Sequence, residues 1–105
     1  MLKSITPQEA KRLIDNEEAL LIDVREADEF AREHIEGARL TPISQLTHHQ
    51  PPTPDRERTA IFYCRSGGRT RMNAAILENQ GFAASYYIEG GLMSWKNEGL
   101  PVIIR

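Results

Sequence analysis

Apolar residues along the chain fall in runs of five or fewer, and their spacing switches repeatedly between two patterns. Short continuous runs predict strands buried on both faces, as in a parallel sheet. Two stand out: residues 19–22, ending at Asp23, and residues 59–63, where Thr, Ala, Ile, Phe and Tyr follow one another. Shorter strands are predicted at 2–5 (an edge strand), 38–41 and 86–88. Between them the spacing is helical. Thr6-Pro7-Gln8-Glu9 is a helix start, with Thr6 as cap, Pro7 in the first turn and Glu9 closing a capping box. Ala10, Leu13 and Ile14 supply that helix's apolar face. Residues 26–34 predict a short polar helix anchored by Phe30 and broken at Gly37. Residues 70–80 predict a longer one, with Met72, Ala75, Ile76 and Asn79 on one face and Gly81 as its stop. Gly90-Gly91 leads into a last helix over 92–97, ended by Gly99 and Pro101.

Strands and helices alternate throughout, so the fold class is α/β: a small parallel β-sheet flanked by helices. No internal repeat is visible. The segment 47–55 (THHQPPTPD) carries three prolines and two histidines and predicts an exposed loop. Neither side of it is large enough to fold alone. Residues 1–105 are therefore read as one domain, near the commonest domain size.

Composition narrows the function. The hydrophobic share of 40% and charged share of 27% are those of a globular chain. The net charge of −2 argues against a basic nucleic-acid binder. A single cysteine, Cys64, excludes an internal disulfide, a CxxC redox pair and a cysteine-rich zinc site, and it suits a reducing, cytoplasmic setting. The N-terminus shows no apolar secretory core, and no run is long enough to span a membrane. The charge is unevenly spread. Residues 58–77 hold four arginines (Arg58, Arg65, Arg69, Arg71) and no acid, while the rest of the chain has nine basic and fifteen acidic residues. The only cysteine lies inside the basic window.

That window holds Tyr63-Cys64-Arg65-Ser66-Gly67-Gly68-Arg69-Thr70. A strand ends at Cys64, a glycine-bearing loop follows, and a helix is expected to begin near Arg69 or Thr70. Open α/β sheets place ligands at the carboxyl ends of their strands. The first amides of a helix lack internal partners and favour an anion. Gly67 and Gly68 permit the backbone angles that turn successive amides toward one centre. A cysteine there is favoured as its thiolate, the nucleophilic form. A buried small hydrophobe is the ordinary role of a lone cysteine, but a core-filling cysteine does not call for a glycine pair and flanking arginines. Two chemistries use such a loop. A Cys-dependent phosphatase or arsenate reductase has Cys-x5-Arg, yet Cys+6 here is Thr70, with Arg69 one residue early and Arg71 one late. A cradle one residue shorter suits a smaller anion, and a nucleophile with no resolving partner suits carriage of one sulfur atom in two covalent steps.

Cys64-Arg65-Ser66-Gly67-Gly68-Arg69 resembles the six-residue active-site loop of the rhodanese (thiosulfate sulfurtransferase) family in its single-domain form. Four further segments agree in order: Leu21-Ile22-Asp23-Val24-Arg25; Glu29-Phe30 with His34-Ile35-Glu36-Gly37-Ala38; Glu89-Gly90-Gly91; and Trp95 with Gly99-Leu100-Pro101-Val102. Glu36 departs from the family, which often has proline there. The resemblance implies a rhodanese-like fold and a Cys64 nucleophile that accepts sulfane sulfur from thiosulfate or another persulfide donor. The sulfur then passes to cyanide or a thiol, including a protein thiol. It further implies an active-site loop of Arg65, Ser66, Gly67, Gly68, Arg69 and Thr70 that binds the substrate. No cofactor, metal, nucleic acid or membrane is called for.

Other residues have plainer readings. Asp23 and Arg25 lie at a strand's carboxyl end and are read as an ion pair anchoring the loops or as the pocket rim. Arg71 is read as a solvated helix residue or as one that steers anions into the mouth. His34 is read as a packed loop residue, His48 and His49 as surface, and Trp95 as core. Ser66 is read as a hydroxyl donor to the anion or a plain loop residue.

Overall fold

The computed structural model describes residues 2–46 and 57–105. The loop predicted at 47–55, with His48 and His49, lies outside the described residues. Five strands form one parallel sheet in the order β1-β6-β5-β2-β4: β1 (Lys3–Ile5), β6 (Ala84–Ile88), β5 (Thr59–Tyr63), β2 (Ala19–Asp23) and β4 (Arg39–Leu40). The edge position of β1 follows the sequence pattern, and β5 lies in the middle of the sheet. Side chains alternate across the sheet, as a period of two requires. Ala19, Leu21, Ile61, Tyr63 and Ile88 point to one face, where they meet Ala10 of α1 (Pro7–Asp15) and Leu92 and Trp95 of α6 (Gly91–Asn97). Ile22, Ala60, Phe62 and Cys64 point to the other, against Leu46 of α3 (Ile43–Leu46) and Leu77 of α5 (Ala74–Glu78). Helices thus cover both faces, and the buried strands read as continuous apolar runs. Among the described residues no helix is long and apolar enough to cross a membrane.

The first helix starts as its sequence predicts, with Thr6 and Glu9 forming the reciprocal capping box. Two other helices differ from expectation. The helix expected over 26–34 stops at Arg32, as α2 (Ala27–Arg32). Glu33 and His34 turn extended and form β3 (Glu33–His34), antiparallel to β7 (Ile103–Ile104), a strand the pattern did not predict. Phe30 still anchors the segment, through its ring stacked 3.9 Å from that of His34. The His34 Nδ1 lies 2.8 Å from the Phe30 carbonyl, so His34 is the packed residue expected.

The helix expected over 70–80 begins earlier and is broken. It forms α4 (Gly68–Met72) and α5, with Asn73 between them at φ −115° and ψ 23°. The Asn73 side chain donates to the Arg69 carbonyl, a local bond that competes with a continuous helix. The break changes which face is buried. Met72 is 87% exposed and Asn79 lies at the surface, whereas Thr70 and Leu77 are buried. Trp95 is core, with its Nε1–H donating to the Pro101 carbonyl at 2.9 Å.

Candidate active site

The site is built where β5 ends. Cys64 follows Tyr63 and is 1% exposed. Its carbonyl accepts from the Leu92 amide and the Arg65 carbonyl from the Met93 amide, both at 2.9 Å. These are first-turn amides of α6, which have no partner within their own helix. The contact leaves no room for a side chain at Gly91, where a Cβ would sit 2.5 Å from the Cys64 carbonyl oxygen. Gly91 also has φ +60°, and both facts restrict the position to glycine. With the Cys64 and Arg65 carbonyls tied to α6, the loop turns the Gly67 amide toward the sulfur.

The Gly67 N–H donates to Cys64 Sγ at 3.1 Å. Gly67 caps α4 in the left-handed region, at φ +95°. Thr70 Oγ1 lies 3.9 Å from Sγ and donates its own proton to the Gly67 carbonyl at 2.8 Å. Ser66 and Arg65 are exposed on the outer side of the loop. Arg71 is exposed too, but its guanidinium lies over the loop, since a Cβ at Gly67 would approach Arg71 Nη1 to 2.7 Å.

Asp23 and Arg25 form a buried ion pair. They are 0% and 3% exposed. Arg25 Nη2 donates to Asp23 Oδ2 at 2.8 Å and to the Glu33 carbonyl at 2.6 Å, and its own backbone amide donates to Asp23 Oδ1 at 2.9 Å. Burial works against the Arg25 charge, but the bonds and charge of Asp23 outweigh it and hold the guanidinium above its usual range. The guanidinium also stands 5.7 Å over the ring of Tyr63, whose phenol is pushed up by burial and by the Asp23 charge. The Tyr63 oxygen accepts from the Ile35 amide at 3.1 Å. Among the described residues no buried side-chain nitrogen or oxygen lacks a partner.

Arg69 is not aimed at the sulfur. Its Nη1 and Nη2 donate to Oε1 and Oε2 of Glu29 at 2.7 and 2.8 Å, a two-point pair across 40 residues. The Arg69 bonds hold the Glu29 carboxyl down to about 2 against the opposing effect of burial, helped by the Glu26 amide and the charges of Arg69 and Arg25. Glu29 was not a sequence candidate in its own right. The available signal was the acid-free arginine window, which needs a carboxylate from elsewhere in the chain. A cavity of about 320 Å³ opens beside the loop, lined by Arg25, Glu29, Arg65, Leu92, Met93 and Lys96 among others. Among these cations Arg65 alone has no carboxylate partner within the described residues; Lys96 is bound to Glu33 at 2.9 Å.

No group of three or more metal-ligating side chains occurs among the described residues. The family model for the rhodanese-like domain matches residues 6–98. The chain belongs to the rhodanese-like family. This rhodanese-like domain is similar to a sulfurtransferase of Allochromatium vinosum, at 33% identity over 94 residues, which cover 90% of this chain and 87% of that one. It is 36% identical over 99 residues to the thiosulfate sulfurtransferase GlpE of Actinobacillus succinogenes, covering 93% and 87% of the two chains. A Synechocystis protein is 35% identical, and the rhodanese-like domain spans 55% of that protein's length. Among solved structures, a rhodanese-related protein of Thermoplasma volcanium superposes with a TM-score of 0.82 at 27% identity, covering 98% and 99% of the two chains. The named relatives make this a sulfurtransferase family, on a five-stranded parallel sheet flanked by helices.

Proposed function

We propose that this rhodanese-like domain moves sulfane sulfur through a persulfide on Cys64. The Cys64 thiolate attacks the outer sulfur of the donor. The donor's S–S bond breaks, and the leaving group (sulfite from thiosulfate, a thiolate from a persulfide) departs with the electron pair. An acceptor thiolate, or cyanide in an assay, then attacks the sulfur carried on Cys64 and releases the Cys64 thiolate. No redox partner is needed, because each step exchanges one S–S (or S–C) bond for another.

The observation that carries this reading is the Gly67 amide aimed at Sγ from 3.1 Å, in a loop whose carbonyls are tied elsewhere. Donors fixed in advance around a developing charge are the usual source of catalytic stabilisation. Arg65 and Ser66 stand at the outer side of the loop as contacts for the donor, and Gly68, Arg69 and Thr70 contribute backbone to the cradle. Asp23 and Arg25 act by anchoring the loops. A protein thiol in a reducing compartment such as the cytoplasm is the acceptor proposed. The reading is tested by mass spectrometry after incubation with thiosulfate or an alkyl persulfide. A gain of one sulfur atom on Cys64, absent in Cys64→Ser, is the expected result. Turnover of p-nitrophenyl phosphate without any sulfur adduct would replace this reading with phosphatase chemistry.

A further inference from the structure

The basic window of the sequence gives way in the fold to a more balanced mouth. Arg69 gives both terminal nitrogens to Glu29. Glu29 is itself fixed, since its Oε1 also accepts from the Glu26 amide at 3.1 Å. Arg69 lies within electrostatic reach of Cys64, and Glu29 lies within reach of Arg25. Glu29 and Arg65 line the same cavity beside the loop. A donor approaching Arg69 from this cavity therefore meets a carboxylate as well as a guanidinium.

We propose that Glu29 is a positioning residue that sets which donors the loop accepts by charge. By holding and neutralising Arg69, it weakens binding of doubly charged donors such as thiosulfate relative to persulfides whose organic part is uncharged. Arg69 serves as Glu29's partner, and Arg65 remains, among the described residues, as a cation at the cavity with no carboxylate partner. The proposal rests on the sulfur-transfer reading and specifies its donor class. A dianion gains twice the Coulomb energy of a monoanion from a given cation and loses twice as much to a given carboxylate. Charge at this position therefore separates the two donor classes more than shape does.

The test compares thiosulfate with 2-hydroxyethyl persulfide as donors, in the full chain, for Glu29→Gln, Glu29→Asp, Arg69→Gln and the double variant. Glu29→Gln is expected to lower the thiosulfate KM about tenfold, the order expected for one charge acting on a dianion across a few ångströms near a protein surface. The KM for the persulfide, a monoanion with half the Coulomb energy, should fall only about threefold, and kcat should shift less than KM. Glu29→Asp, which keeps the charge, should keep the wild-type ratio of the two KM values. Arg69→Gln should raise the thiosulfate KM, and the double variant should return the ratio toward wild type, because both charges are then gone.

A ratio that stays constant across the set would overturn the proposal. So would a double variant as impaired as Arg69→Gln, since Arg69 would then bind the donor directly. Should Glu29→Gln fail to fold, the comparison of the double variant with Arg69→Gln decides alone. Mass spectrometry keeps the two hypotheses apart. Failure to load sulfur on wild-type Cys64 from either donor refutes the transfer reading, whereas loading with an unmoved ratio refutes only the role of Glu29.

Discussion

Two arginine–carboxylate pairs stand near the carboxyl end of the sheet, and they differ in burial more than in chemistry. Asp23–Arg25 joins neighbours two residues apart, and its side chains are 0% and 4% exposed. Glu29–Arg69 bridges α2 and α4 and is 21% and 38% exposed. In the buried pair the remaining bonding positions are satisfied by backbone: the Arg25 amide for Asp23 and the Glu33 carbonyl for Arg25. Removing one partner there would leave a charge that water cannot reach. In the second pair solvent softens the loss. The same ion pair thus acts as a fixed anchor in one place and as an adjustable charge in the other.

The largest effect expected is from Asp23→Asn, which keeps the shape and strands the Arg25 charge. Breaking a buried pair from one side costs about 3–5 kcal/mol. Urea unfolding should show a loss of that order. A loss below about 1 kcal/mol would put this pair in the same class as an exposed one. A smaller effect is expected from Glu29→Gln, at about 1 kcal/mol or less after solvent screening.

That contribution also has a pH signature. The Glu29 carboxyl is lower in the folded chain, near 2, than in the unfolded one. The stabilisation is therefore present above the unfolded value of about 4.3 and is lost as pH falls toward 2. Wild type should lose its advantage over Glu29→Gln across that acid window and keep it unchanged from pH 5 to 8. A difference that grew on acidification would have the wrong sign. The smallest effect is set by Arg32–Asp28, 3.5 Å apart with both side chains about 70% exposed. Arg32→Ala should shift stability by no more than about 0.5 kcal/mol in the same unfolding assay.

The sequence was most legible where one local signal decides the structure. The run Thr59–Tyr63 forms a strand with the predicted bounds, because a continuous apolar run at that length fits a central parallel strand. The Thr6–Glu9 box places the first helix for the same reason. Cys64 was legible as a loop thiol after a strand, and the loop's amide reaches it as the glycines suggest.

What escaped depends on partners far along the chain. Glu33 and His34 leave their helix because β7 pairs with them, and no local pattern announces a two-residue strand. The helix expected over 70–80 is interrupted at Asn73, whose side chain bonds back to the Arg69 carbonyl. The carboxylate that pairs with Arg69 lies 40 residues away, beyond the reach of any local pattern. Gly91 was visible only as half of a glycine pair, and its reason is a carbonyl contributed by another strand's end.

That last contact has a consequence for how the protein is made. The carbonyls of Cys64 and Arg65 are held by amides of Leu92 and Met93, nearly thirty residues downstream. During synthesis the cysteine emerges long before the residues that brace its loop. This bracing of the loop therefore exists only in the finished fold. Until α6 docks, the Cys64 and Arg65 carbonyls lack these partners, and the loop that carries the cysteine is held only by its own neighbours.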